Sequence, residues 1–279
     1  ALRDEPGLCR ATLPVRTFRF APWSFAVDYS PTSATMAYAK LSRGHRAGGY
    51  NIRGATPVDL DTFEPEQVTA AEVGAKADLF GDRLRLNLAL FRSKFDDIQL
   101  TQLELTAPGL RGVRFIANGG KARIEGGELE VTAVLGRLRL GGHYAVTRPK
   151  FTELDPQVEG VTLDSDFPLT PRWTAGLTAD LSIESASWAF GVHAHGAWRD
   201  DVPFSFDASS TLRQPSFGLF NAMLSARHEP SGVELSVWGR NLADKRYVSR
   251  AFDSSYFITA VPGDPRTYGL TLRYRPPSR

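Results

Sequence analysis

The stretch WTAGLTADLSIE, residues 173–184, decides the fold. Its odd positions are Trp173, Ala175, Leu177, Ala179, Leu181 and Ile183; its even ones are Thr174, Gly176, Thr178, Asp180, Ser182 and Glu184. Side chains of a strand point alternately to opposite faces, so one face here is apolar and the other polar. A helix would set Trp173 beside Leu177 but turn Ala175 and Ala179 away from them. The period of two therefore marks a strand.

The same alternation recurs on both sides of this stretch. Trp23, Phe25, Val27 and Tyr29 share one parity, as do Val73, Ala75, Ala77 and Leu79, and then Leu84, Leu86, Leu88 and Leu90. It continues through Leu129–Leu135, Leu138–Val146, Trp188–Trp198, Phe220–Ala226, Val233–Val237 and Tyr268–Tyr274, with a weaker member at 35–43. The pattern predicts about eleven strands, many of roughly ten or more residues against a usual length of roughly five or six. Short turns near 31–34, 81–82, 136, 185–187 and 230–232 alternate with long connections near 44–67, 100–120, 149–171, 200–215 and 242–265. In an up-and-down sheet this sorting puts every tight turn at one end and every long loop at the other.

That asymmetry is the habit of transmembrane β-barrels, which have short periplasmic turns, long outer loops, an apolar outside and a polar inside. A soluble sandwich would also alternate, but its loops need not sort by parity. Here the polar parity carries Arg85, Glu128, Glu130, Arg137, Arg139, Asp180, Arg199 and Arg273, while the apolar parity carries almost no charge. Trp23, Trp173, Trp188, Trp198, Tyr268 and Tyr274 gather at strand ends, as an interfacial aromatic girdle requires. The expected fold is an all-β, transmembrane antiparallel barrel portion.

Composition agrees. A net charge of +2, with 42% apolar and 23% charged residues, argues against a disordered tail or a polybasic arm. All but six of the 33 basic residues are Arg, interleaved with acids, so nucleic acid is not an expected partner. The longest run without Asp, Glu, Lys or Arg is 14 residues, 185–198, too short for a spanning helix. Cys9 is alone, and no secretory signal opens the chain. It starts on Ala1 rather than Met, which reads as a processed product or a fragment. Both termini of a bacterial barrel normally face the periplasm. A first strand that descends into a short turn therefore leaves an ascending strand missing before residue 20.

Five blocks, in order, resemble TonB-dependent receptors. YAKLSRGHRAGGYNIRG (38–54) carries Gly48, Gly49 and Asn51; the segment 63–99 carries Glu72 and Gly74 in its E-x-G; IANGGKARIEGGELE (116–130) carries Asn118. WGRNLADKRY (238–247) carries Asn241, Leu242, Asp244 and Tyr247, and PGDPRTYGLTLRY (262–274) carries Pro265, Arg266, Tyr268 and Gly269. The resemblance implies a Gram-negative outer-membrane receptor that is not an enzyme and has no cofactor. It implies uptake of a scarce nutrient, most often a ferric siderophore or similar metal chelate, driven by the TonB complex acting on a plug. Family barrels have 22 strands, so residues 20–275 correspond to about the last eleven. Residues 1–19 are then a loop or partial strand, 276–279 a short tail, and the plug is absent. Barrel-assembly machinery and outer-membrane lipid are the remaining implied partners. Family chains end on an aromatic, whereas here Pro-Pro-Ser-Arg follows Tyr274-Arg275.

Several residues invite sharper readings. His193 and His195 lie about 7 Å apart on one strand face and are weak metal candidates, set against an ordinary hydrated lumen wall. Glu125, Glu128, Glu130 and Arg123 resemble an acid–base cluster; the expectation is that Glu128 and Glu130 pair with Arg137 and Arg139 on the next strand. The IEGGE glycines suggest a bulge between Ile124 and Leu129. The ligand candidates are Trp198, Arg199, Phe204, Phe206, Tyr256 and Phe257, since loop aromatics beside charges suit a chelate that combines rings with anionic oxygens. Deleting 200–215 is expected to weaken ligand binding without unfolding the barrel. Two rival readings are a self-contained 12-stranded lipase-like barrel, which needs a strand within residues 1–20 and a Ser–His pair at the outer rim, and a non-functional receptor fragment.

Overall fold

A computed structural model describes residues 14–51, 62–105, 112–156, 158–206, 212–253 and 257–276. Its strands are β1 (Trp23–Thr32), β2 (Thr35–Arg46), β3 (Gly49–Tyr50), β4 (Thr62–Phe63), β5 (Glu66–Leu79), β6 (Leu84–Asp96), β7 (Gln99–Leu105), β8 (Gly112–Asn118), β9 (Gly120–Leu135) and β10 (Leu138–Leu154). They continue with β11 (Trp173–Ser185), β12 (Trp188–Arg199), β13 (Val202–Pro203), β14 (Arg213–Gln214), β15 (Phe217–His228), β16 (Val233–Arg240), β17 (Val248–Asp253), β18 (Ile258–Pro262) and β19 (Thr267–Tyr274). No helix occurs among the described residues.

Eleven of the strands form one antiparallel sheet in the order β1-β2-β5-β6-β9-β10-β11-β12-β15-β16-β19. The other eight make four two-stranded ribbons, β3–β4, β7–β8, β13–β14 and β17–β18, each inside a long connection. The tight turns at 33–34, 80–83, 136–137, 186–187 and 229–232 therefore all lie at the opposite end from the ribbons. The strand count and the sorting of loops follow the expected pattern.

Register makes the two faces continuous. One row reads Tyr29, Ala37, Ala75, Leu88, Leu129, Tyr144, Ala175 and Trp198 across eight strands. The row beside it, on the other face, includes Asp28, Tyr38, Glu128, Thr174 and Arg199. Leu90 and Leu177 remain 53% and 59% exposed, so the apolar stripes are not folded into a shared core. Such a face is stable only against hydrocarbon. The polar face is joined from strand to strand by Arg85–Asp78 at 2.6 Å, Asn87–Glu130 at 3.2 Å and Arg273–Glu234 at 3.1 Å.

Two local expectations fail. Pairing of β9 with both neighbours runs unbroken from Ile124 to Leu129, so no bulge lies there; the register shift falls between Phe151 and Glu153. Ile124 has the lumenal parity of Glu128, while the bare backbone at Gly126 makes room for the Phe91 ring. Nor do Glu128 and Glu130 pair with Arg137 and Arg139. The two-residue turn 136–137 sets Glu130 opposite His143 and Glu128 opposite Ala145, and Arg139 faces Asp180 on the other side. Glu125, on the outward parity, pairs with Arg92 and Arg123 instead.

Candidate ligand-binding site

The buried core lies at the mouth, not within the sheet. Phe151 is fully buried near the outer end of β10, on the lumenal parity, in a cluster with Ala122, Ile98 and Leu100. Phe167, from the connection after β10, stacks on Phe151 at 4.6 Å. Phe206, from the connection after β12, lies 5.8 Å from Phe151 and 5.4 Å from Phe167. Two long connections thus turn inward and meet over the lumenal side of the wall.

Ion pairs fix these connections to each other. Arg213 donates to Asp201 and, at 2.9 Å, to Asp166, which also accepts from Arg172 at 3.2 Å. Burial pushes the Asp166 carboxyl up, but hydrogen bonds from Arg213 and Arg172 outweigh it and hold it below the usual carboxylate range. The same pairing, chiefly with Asp201, raises the Arg213 guanidinium against the opposing effect of burial. The Gln214 side chain is buried and accepts from the Val248 amide at 2.6 Å, tying in the next connection.

Beside this layer stands a column of cation and rings. Arg199 ends β12 on the lumenal parity, opposite Phe217. Its guanidinium lies 5.4 Å over the Phe217 ring, and that ring stacks on Tyr247 at 4.5 Å with planes 22° apart. The Arg199 Nε is buried and has no hydrogen-bond partner among the described residues. A cation with an unused donor beside two flat rings can receive an anionic, ring-bearing ligand.

The other ligand candidates disperse. Trp198 takes the outward face, because a strand turns neighbours in sequence to opposite sides. It meets Phe220 edge-on at 5.2 Å and covers Gly196 and Gly218, which places it in the girdle rather than the mouth. Phe206 is built into the packed layer. Phe204 is half-buried after β13, its amide donating to Leu212 O at 3.0 Å. Phe257 is 64% exposed just before β18, and Tyr256 lies outside the described residues. His193 and His195 face the lumen; His193 Nδ1 is 2.6 Å from Asp180, and His195 Nδ1 is 3.4 Å from Asn221. Among the described residues no three His, Cys, Asp or Glu side chains gather to hold a metal ion. Sequence reasoning missed Phe151, Phe167 and Phe217; of the column it singled out Arg199 as a ligand candidate and Tyr247 only as a motif residue.

Most motif residues have structural work. The Tyr38 ring lies over Gly74, where a Cβ would collide with it, and its hydroxyl donates to Glu72 at 2.7 Å. Gly48 and Gly49 give passage to Phe63. Asn51 accepts from the Ile116 amide at 2.7 Å and donates to its carbonyl at 2.9 Å. Asn118 accepts from the Glu64 amide at 2.7 Å and donates to Asp97 O at 2.9 Å. Asn241, at φ +49, donates to Lys245 O and Asp264 O and accepts from the Lys245 amide. Leu242 covers Gly239, Trp238 covers Gly269, and Arg266 lies 3.6 Å from Asp244. Pro265 sits in the irregular link before β19, and Tyr268 is exposed on the outward face.

Residues 13–242 match the family profile described as TonB dependent receptor-like, beta-barrel. The chain belongs to the TonB-dependent receptor family. It is 29% identical to the metal-pseudopaline receptor CntO of Pseudomonas aeruginosa over 98% of this chain and 36% of that protein. It is 25% identical to the pesticin receptor of Yersinia enterocolitica over 89% of this chain and 35% of that protein. Among solved structures, the ferric yersiniabactin uptake receptor FyuA from Yersinia pestis shares the fold, with TM-score 0.75 and 22% identity over 90% of this chain and 36% of that one. The chain spans about a third of the length of these relatives. This TonB-dependent receptor barrel is an outer-membrane protein, and its relatives are transport receptors rather than enzymes. The lipase-like reading therefore falls. A Ser–His contact among the described residues, Ser231 to His228 at 2.9 Å, also lies in the tight turn before β16, at the far end from the outer rim.

Proposed function

We propose that this chain is the barrel-wall part of a receptor that takes up a scarce nutrient as a metal chelate, of the ferric siderophore type. The observation that carries this reading is the Arg199–Phe217–Tyr247 column at the lumenal mouth, whose rings match flat ligand faces and whose guanidinium matches chelate oxygens. The relatives described as receptors for metal-pseudopaline and ferric yersiniabactin support the ligand class. Phe204 and Phe257 are then rim contacts. In this reading the plug, its coupling to TonB and the strands that pair with the edges β1 and β19 lie outside this chain. Unpaired edges are costly in lipid, so those strands complete the wall. The barrel-assembly machinery inserts it.

The test is binding and uptake of a labelled ferric or other metal chelate by cells carrying the intact gene product. Arg199→Gln is expected to weaken binding about tenfold, or roughly 1.4 kcal/mol, with an unchanged amount of heat-modifiable barrel. Undiminished binding would remove the column from the ligand path. Deleting 200–215 is a poorer test, because that segment supplies Phe206 to the packed layer and Arg213 to the ion pairs that hold it.

A further inference from the structure

Just above the apolar band, two rows of the outward face of one flank are predominantly basic; in the next row Lys121 pairs with Glu153 at 2.6 Å beside Asp96. Register aligns Trp23, Arg43, Thr69, Lys94, Arg123 and Lys150 in one row, and Arg92, Glu125 and Arg148 in the row beneath. These positions share the parity of Leu90, Leu129 and Tyr144, so they face away from the lumen. Strands of such barrels are inclined to the axis, so the top of the band steps down along the sheet. It passes from Trp23 in β1 to Trp173 in β11, which is paired with Val146, four residues below Lys150 on β10. The six cations on β2, β6, β9 and β10 therefore stand level with the aromatic girdle or just above it, at the depth of lipid headgroups. Glu125 engages Arg92 at 3.1 Å and Arg123 at 3.3 Å. Lys94, Arg148 and Lys150 are exposed and form no ion pair among the described residues. The other flank lacks this stripe: Asp200 and Ser216 bond each other at 3.0 Å beyond the girdle, and Arg266 faces Asp244.

We propose that the stripe seats a phosphorylated glycolipid of the outer leaflet. Guanidinium and ammonium groups a few ångströms apart match a polyanionic headgroup, Arg by bidentate hydrogen bonds and Lys as a point charge. The acyl chains then lie on the apolar face below. There Gly142, between Val131 and Leu177, opens a groove walled by Leu129, Leu140 and Tyr144. Charge complementarity selects the phosphate, and the groove continues on strands β9–β11, directly beneath the cations. The site is separate from the lumenal column and does not depend on the cargo.

The experiment extracts the intact gene product from outer membranes in a mild non-ionic detergent and measures the glycolipid phosphate that it retains. The combined variant Lys94→Gln, Arg148→Gln and Lys150→Gln is expected to retain about tenfold less, and salt is expected to strip the unsubstituted protein. The lumenal control Lys76→Gln with Arg139→Gln is expected to retain as much as the unsubstituted protein. Heat-modifiable migration reads the barrel separately, so loss of the site is distinguished from loss of the fold. Equal retention by the triple variant, equal loss in the lumenal control, or equal retention of enzymatically dephosphorylated glycolipid by the unsubstituted protein would each overturn the proposal. The dephosphorylated arm decides alone if the triple variant fails to assemble.

Discussion

In the sheet, Leu90 and Leu177 keep more than half of their surface exposed, and the next residue along each strand faces the lumen. At the mouth, Phe151, Leu100 and Val202 are buried to within 1%. The wall leaves its apolar surface to lipid and holds its shape by backbone pairing and lumenal polar contacts. The loop layer contains its own apolar core, as a small soluble domain does. Wall and loop layer are therefore held by different forces, and each can be perturbed without the other.

The largest effect is expected at Phe151. Phe151→Ala empties the centre of the loop layer at a cost of about 3–5 kcal/mol. Hydrogen exchange and proteolysis should then increase in the connections 155–172 and 200–216 while the heat-modifiable barrel persists; a barrel lost along with the loops would erase the distinction. Next, Leu88→Arg sets a charge against hydrocarbon at about 2–4 kcal/mol, whereas Asn87→Arg places it in the lumen opposite Glu130. Only the first should lower the yield of assembled, heat-modifiable protein. A smaller loss, about 1–3 kcal/mol, is expected from Asn241→Ala, which orphans Lys245, Asp264 and their backbone groups. Thermal unfolding should show it as a local transition near β17–β18, and Asn241→Gly should recover the part due to positive φ.

The smallest effect is pH-dependent. The Asp166 carboxyl is lower in the folded layer than in the unfolded chain. Its stabilisation is therefore complete above the ordinary carboxylate pKa of about 3.9, and it is lost as pH falls through the depressed folded value. Exchange in 155–172 should rise on acidification below about pH 4, by less than about 1 kcal/mol because the pair is partly solvated. Arg213→Gln should remove that dependence, and the sheet should not share it.

How far the sequence can be read follows the same division. The stripe from Trp173 to Ile183 is legible because a membrane strand has one periodicity and one orientation, set by the medium on each side. Charge complementarity suggests Arg137 and Arg139 as partners for Glu130, but the turn 136–137 sets the register and places His143 opposite it. Trp198 and Arg199 are adjacent in sequence, yet face different solvents, and composition of a segment cannot separate them. Phe167 and Phe206 come from two separate irregular connections and meet Phe151 at the outer end of β10, so no period announces their contact. The motif glycines were recognisable only by resemblance; the Tyr38 ring over Gly74 supplies their physical reason.

The strand order has a consequence for how the wall is made. Each long strand pairs only with the long strands before and after it in the chain, so registration is local throughout. Turns of two or four residues fix five of the ten pairings as hairpins, and each hairpin then pairs with the one made just before it in the chain. In the proposed reading the edges β1 and β19 close against strands outside this chain, and a defect anywhere upstream shifts every later rung by whole residues, so quality control has most to gain by acting at that closure.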